Sequence, residues 1–314
     1  MSILAPSCTR HGMKYTFILL ILGTLILSGC THSKIKSDAA TSETQPITQE
    51  DANFPIIDAH THNHFRNKLE AISQIPDTMD EYLRELKESN VVGAVVLLDP
   101  QNTEYHDFKD HNIIACAGAS AHPDYAGIES GLKSGKYSCI KIYLGYIYVY
   151  AWEEPYRKLY RLAEKYDVPV VFHTGDTYSV TGKLKYSDPL TIDEVAVDFP
   201  KVRFVIAHCG NPWIESAAEV AYKNPNVWLD GSALLINTAH ESPENIDKFV
   251  VQPLRWIFGY IENPDKLMYG TDWPLTDMKS YKAAFQRAIP RQYWRKVFYE
   301  NAQHVFKFPK KVND

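Results

Sequence analysis

The chain has 314 residues, 45% of them hydrophobic and 23% charged, which excludes a disordered or collagen-like polypeptide. Its net charge of −5 leaves no basic excess to neutralise phosphates, so nucleic acid is not an expected partner. Five cysteines are too few for a disulfide scaffold, and the length suits two domains or a single α/β barrel of ~250 residues.

Residues 14–30 read KYTFILLILGTLILSGC. Lys14 precedes an uncharged run from Phe17 to Leu27. That is a signal-peptide pattern, shorter than the ~20 apolar residues of a spanning helix. It ends in Leu27-Ser28-Gly29-Cys30, which resembles the bacterial lipobox. The resemblance implies cleavage before Cys30 and a lipid (palmitate) on that residue. The alternative is a plain secretory signal that ends in cysteine. Residues 1–12 add nothing a signal needs, so Met13 is a second candidate start.

Residues 1–29 are thus expected to leave as a signal peptide, taking Arg10 and Lys14 with them and moving the charge from −5 to −7. Residues 30–54 are rich in Ser, Thr, Gln and Asp without an apolar period, and read as a flexible tether from membrane to domain. By the same resemblance, Thr31 after the lipidated cysteine favours the outer membrane, facing the periplasm, of a Gram-negative cell; a Gram-positive host would change that expectation. Cys116, Cys139 and Cys209 lie on or beside apolar runs and are expected to be buried free thiols, with a disulfide the minority reading.

From residue 55 to 308 short apolar runs alternate with helical patterns. The runs are Pro55–His60, Val91–Leu98, Asn112–Ala119, Cys139–Leu144, Val168–His173, Val202–His208, Val227–Gly231 and Lys266–Asp272. Near-continuous apolarity suits parallel strands covered on both faces. Helical spacing marks Met79–Ser89, Pro155–Tyr166, Ile214–Tyr222 and Asn245–Phe258. Eight strands with intervening helices predict an α/β fold, a (β/α)8 TIM barrel, with a short tail at 309–314. The runner-up, an open doubly wound sheet, lacks its usual glycine-rich loop after the first strand.

Metal-competent side chains gather at the ends of these runs. His60 and His62 stand two apart on the first, and so face one side of a strand. Lys141 sits inside the fourth, a costly place for an amine that is neither paired nor modified. His173 and His208 terminate the fifth and sixth, and Asp272 the eighth. Barrel active sites lie at this C-terminal face, and imidazole with carboxylate suits zinc, with iron, manganese and nickel as alternatives.

At this point the chain resembles the amidohydrolase superfamily, and within it the amidohydrolase-2 family. The resemblance rests on IIDAHTH at 56–62, IKIY at 140–143, VFHTGD at 171–176, IAHCGNPW at 206–213, YGTDWP at 269–274 and the closing ENAQHVFKF at 300–308. It implies that His60, His62 and Asp272 ligate the more buried metal and that His173 is the next ligand. His208 then ligates a second ion or, with one ion, acts as catalytic acid/base. Lys141 matches the lysine whose carbamate bridges two metals. One or two divalent ions, zinc first, are therefore expected.

The reaction this implies is hydrolysis of an amide, lactone or ester bond in a small molecule, with Asp272 as general base. The alternatives are a metal-dependent decarboxylase of an aromatic acid and a catalytically inactive binding lipoprotein. Tyr143 and Tyr146 are candidate walls of a substrate pocket, Trp213 and Trp273 further ones, and Asp176 a candidate partner of His173. His64 is expected at the mouth. No arginine stands out as an anchor for a substrate carboxylate, and a homo-oligomer is compatible with the sequence.

Overall fold

The computed structural model describes residues 54–100, 106, 108 and 111–308. The signal peptide, Cys30, the tether up to residue 53 and the tail lie outside the described residues.

Eight strands pair in sequence order, all parallel. They are β1 (Ile56–Thr61), β2 (Val91–Leu97), β3 (Ile113–Ala119), β4 (Cys139–Ile142), β5 (Val170–Phe172), β6 (Phe204–Ile206), β7 (Val227–Asp230) and β8 (Leu267–Met268). The segment after β8 returns alongside β1: Ala59 N donates to Tyr269 O at 3.0 Å, Asp272 N to His60 O at 2.7 Å and His62 N to Trp273 O at 2.9 Å. The barrel therefore closes through the stretch that carries Asp272. The main helices are α1 (Met79–Glu88), α2 (Tyr125–Ser134), α3 (Glu154–Tyr166), α4 (Thr191–Asp198), α5 (Ile214–Lys223), α6 (Gln252–Ile261), α7 (Met278–Ala288) and α8 (Asn301–Phe306). The expected (β/α)8 barrel is the observed fold.

Alternation along each strand divides the core in two. Ala94, Val96, Ile140, Ile142, Val170, Phe172, Phe204 and Ile206 pack outward with helix residues such as Tyr82, Leu86, Tyr160 and Val195. Val95, Leu97, Cys116, Cys139, Val171, Val205 and Met268 fill the barrel interior, together with Val305, Phe306 and Phe308 of the closing segment. Lys141 and His173 stand two residues beyond Cys139 and Val171, and so continue the interior face towards the C-terminal mouth.

One expectation is corrected. Cys116 and Cys139 are not free thiols: they form a disulfide between β3 and β4. The parallel register sets the two directly opposite each other inside the barrel, with Cα atoms 4.3 Å apart. A separation of 23 residues in sequence gives no hint of that proximity. Cys209 is free and buried, as expected.

Candidate metal centre

The backbone is bent where the site forms. After β6, His208 (φ 58°) and Cys209 (φ 46°) take left-handed conformations, and so does Asp272 (φ 65°) after β8. Such conformations are rare outside glycine and cluster at functional sites. Gly175 (φ 82°) lets the loop after β5 pass against the backbone of Asn211, where a Cβ would stand 2.0 Å from its carbonyl oxygen. Asp58 ties the two ends of the barrel seam together. Its Oδ1 accepts from His60 N and Thr271 N, and its Oδ2 from Thr271 Oγ1. Burial pushes this carboxyl up to about 7 against those hydrogen bonds.

His60, His62, His173, His208 and Asp272 converge at one end of the barrel, with Lys141 below them. The partners of each ring fix its tautomer. His62 Nδ1 lies 2.9 Å from Leu97 O, and a carbonyl only accepts, so Nδ1 carries the proton. His208 Nδ1 is likewise 3.2 Å from Ser232 O. His60 Nδ1 is 3.1 Å from Asp230 Oδ2 and from Ser232 Oγ. In His173 it is Nε2 that donates, to Asp176 O at 2.7 Å.

In the neutral tautomers these partners select, every remaining ring nitrogen is a lone pair, and these face one another. His60 Nε2 and His62 Nε2 stand 3.3 and 2.9 Å from Asp272 Oδ1. His208 Nε2 stands 3.1 Å from His173 Nδ1. With the protons on the far nitrogens, none of these contacts is a hydrogen bond, and Asp272 Oδ1 is a buried oxygen without a hydrogen-bond partner. Lone pairs converging on an orphaned carboxylate oxygen are what a cation would satisfy. The donor set fits a divalent ion on His60, His62 and Asp272, and those three place their ligand atoms within 4.8 Å of one another.

The electrostatics agree for His173 and His208, while, against its burial, Asp230 and Asp272 raise His60, as they would favour any cation there. Burial lowers His173 well below its ordinary value, aided by His208 and Lys141. Burial likewise lowers His208 to about 4, so both rings stay neutral and keep their lone pairs. Asp272 is held ionised by positive charge beside it: burial opposes ionisation, but His60 and His62 as charged donors hold its carboxyl well below the usual range, and a bound cation would supply that charge in their place. Lys141 Nζ is wholly buried with no hydrogen-bond partner, 5.1 Å from the Tyr143 ring centroid. Burial lowers it to about 8 against the pull of Asp230 and Asp272.

Sequence reading missed Asp230. It ends β7, and an aspartate closing an apolar run was the signal available. His60, His208 and Asp230 form a second close group of potential ligands. Asp230, however, meets His60 at the protonated Nδ1, and its Oδ1 already accepts from Ser232 Oγ, Ser232 N and His208 N. Its position suits holding the imidazoles rather than an ion.

A cavity of about 450 Å³ opens over the centre, lined by His62, His173, His208 and Asp272 together with His64, Arg66, Glu70, Tyr143, Tyr146 and Tyr178. Tyr143 and Tyr146 line it, and His64 stands at the mouth, stacked on His62 at 5.5 Å. Asp176 supports His173 with its backbone carbonyl rather than its carboxylate, which instead accepts from Thr177 N. Neither tryptophan lines the cavity. Trp273 is wholly buried, packed on Tyr82 at 4.8 Å with Nε1 donating to Glu85, because the bend at Asp272 that turns the carboxylate inward turns the next side chain outward. Trp213 caps the start of α5, half-buried and away from the cavity lining.

A closed (β/α)8 barrel with four histidines and an aspartate at its C-terminal mouth defines a class of metal-dependent enzyme. The family model described as Amidohydrolase (Amidohydro_2) matches residues 57–308, and the chain belongs to that family, whose members are metal-dependent enzymes of the amidohydrolase superfamily. No curated protein matches the sequence. Among solved structures it is similar to a probable 2-pyrone-4,6-dicarboxylic acid hydrolase from Acinetobacter baumannii (17% identity, TM-score 0.60, covering 81% of this chain and 100% of that one). It is also similar to 5-carboxyvanillate decarboxylase from Sphingomonas paucimobilis (12%, 0.57, 81% and 99%). An uncharacterised TIM-barrel protein from Bordetella bronchiseptica gives 17%, 0.60, 81% and 99%. At these identities the likeness speaks to the fold.

Proposed function

We propose that the protein is a hydrolase that cleaves an amide, lactone or ester in a small molecule, with Asp272 as general base. The observation that carries this reading is the set of unprotonated imidazole nitrogens converging on the orphaned Asp272 Oδ1. A divalent ion held by His60, His62 and Asp272, zinc first by the ligand chemistry, would lower the pKa of water from ~15.7 towards ~7 and polarise a carbonyl. Asp272, kept ionised by the positive charge beside it, would accept the proton of the attacking water and return it to the leaving group. His208, neutral and with Nε2 exposed to the site, is the second proton-transfer group if one ion is held and a ligand if two are.

Tyr146 contributes a hydrogen bond. Its hydroxyl accepts from Tyr178 N at 2.8 Å, which leaves the phenolic proton to donate into the cavity. Burial raises it to about 12, so it remains a donor at working pH. Lys141, buried, unpartnered and lowered to about 8, is suited to add as the neutral amine to carbon dioxide, releasing one proton and forming a carbamate whose oxygens would be further ligands for a second ion. The Tyr-walled cavity and the decarboxylase among similar folds support a second reading, decarboxylation of an aromatic acid on the same centre.

The lipobox at Cys30 supports an exported, membrane-anchored protein. The Cys116–Cys139 disulfide supports the same reading, since such bonds persist in oxidising compartments such as the periplasm. A screen of lactones, esters, N-acyl amino acids and aromatic acids with zinc- and manganese-reconstituted protein tests the reaction. Turnover of a hydrolysable substrate that disappears in Asp272→Asn supports it. Carbon dioxide release from an aromatic acid, with no hydrolysis, would replace it with the second reading.

A further inference from the structure

Arg66 lies five residues beyond the end of β1 and lines the same cavity as His62, His173, His208 and Asp272. Its Nε donates to Asp77 Oδ2 at 2.6 Å. Asp77 is wholly buried, so the guanidinium is fixed at its protein end, while the Arg66 side chain is 44% exposed. Its neighbours Phe65 (φ 42°) and Asn67 (φ 54°) both adopt left-handed conformations. For a bulky residue such as Phe65 that is an outlier, held here by the turn that projects Arg66.

A guanidinium carries five N–H donors. Asp77 takes the one on Nε, and among the described residues no acceptor takes those on the two terminal nitrogens. The acids beside it are already engaged. Glu70 Oε2 accepts from Ile72 N, Ser73 N and Ser73 Oγ, its Oε1 from the Tyr178 hydroxyl, and Asp99 has an interaction of its own. A fork of charged donors, oriented from behind and unspent in front, matches a carboxylate bidentately.

We propose that Arg66 binds a carboxylate at the end of the substrate remote from the scissile bond, so that the natural substrate is an organic acid carrying the hydrolysable group. This rests on the metal centre holding the other end of the ligand. The cavity of about 450 Å³ has room for a small bifunctional molecule spanning the two.

Calorimetric titration of the zinc-loaded protein with succinate, glutarate and adipate, each against its monoacid of equal length, separates the two ends. The monoacid reads the metal centre, and the gain of diacid over monoacid reads Arg66. In the wild type at least one diacid should bind about ten-fold tighter than its monoacid, about 1.4 kcal/mol. In Arg66→Gln that ratio should fall below about two-fold, with monoacid affinity and bound metal unchanged. Should Arg66→Gln lose its metal, Arg66→Lys carries the comparison, retaining the charge without the fork and so only part of the gain. No diacid advantage in the wild type, or one that survives both substitutions, overturns the proposal. Loss of all metal-dependent acid binding in the wild type would instead overturn the metal-centre reading on which it rests.

Discussion

Asp230→Asn is the most informative single substitution, because it changes a tautomer without touching a proposed ligand of the ion. Asp230 Oδ2 accepts the Nδ1 proton of His60, and Oδ1 accepts from Ser232 Oγ, Ser232 N and His208 N. Four donors therefore meet a group with no proton of its own. Burial disfavours its charge, but His60 and the hydrogen bond from Ser232 prevail and hold it well below the usual carboxylate range. An asparagine cannot serve both sides. With its amide nitrogen towards His60, donor faces donor, and the imidazole must move its proton to Nε2, the nitrogen aimed at the ion. With the amide turned round, its N–H2 faces two backbone N–H groups.

Loss of such a supporting partner costs 10–100-fold in metal affinity, about 1.4–2.7 kcal/mol, and the tautomer conflict places Asp230→Asn at the upper end. Competition for zinc with a graded chelator should show the loss, and excess zinc should recover part of the activity. An affinity within about two-fold of wild type, in a folded variant, would refute the tautomer argument.

Three further outcomes follow from the same structure. Glu85 is buried and accepts from Trp273 Nε1 and Met278 N, and burial raises it from 4.5 to about 7. Its folded form binds more protons than the unfolded chain between those values, so it lowers stability progressively as pH rises from about 4.5 to 7, by about 3 kcal/mol. Glu85→Gln should therefore gain on wild type across that window in denaturant unfolding; a difference independent of pH would contradict this. Lys141→Ala should lower the bound metal per chain, and a short carboxylic acid should restore part of the activity by replacing the carbamate oxygens; indifference of metal content to both lysine and bicarbonate would leave a one-ion centre. Cells grown with a fatty-acid analogue should label the wild type and not Cys30→Ala; equal labelling would exclude a lipid at Cys30.

The sequence made the barrel legible because its strands are apolar on both faces, so each run stood out, and because the ligand types close those runs. Boundaries shifted where the backbone turns left-handed: Asn112 (φ 55°) delays β3, and the bends at His208 and Asp272 end regular pairing early. Those bends also decide direction. They bring His208 and Asp272 inward and send Trp273 into the helical layer, and a left-handed residue other than glycine leaves no mark in sequence. Asp230 and the disulfide were hidden for a related reason. Each depends on which residue stands opposite across a closed sheet, a relation between strands rather than within one. Arg66 carries no signal of its own in the sequence, because what fixes its guanidinium at the cavity is Asp77, eleven residues on, accepting from Nε.

The central claim is that His60, His62 and Asp272, with His173 and His208 beside them, hold a catalytic divalent ion. Anomalous diffraction at the zinc edge from crystals grown with zinc tests it most directly. The account predicts a peak at the barrel mouth at coordination distance, about 2.0–2.2 Å, from His60 Nε2, His62 Nε2 and an Asp272 oxygen. A map with no peak there at saturating zinc, or with zinc bound only elsewhere on the molecule, would contradict it.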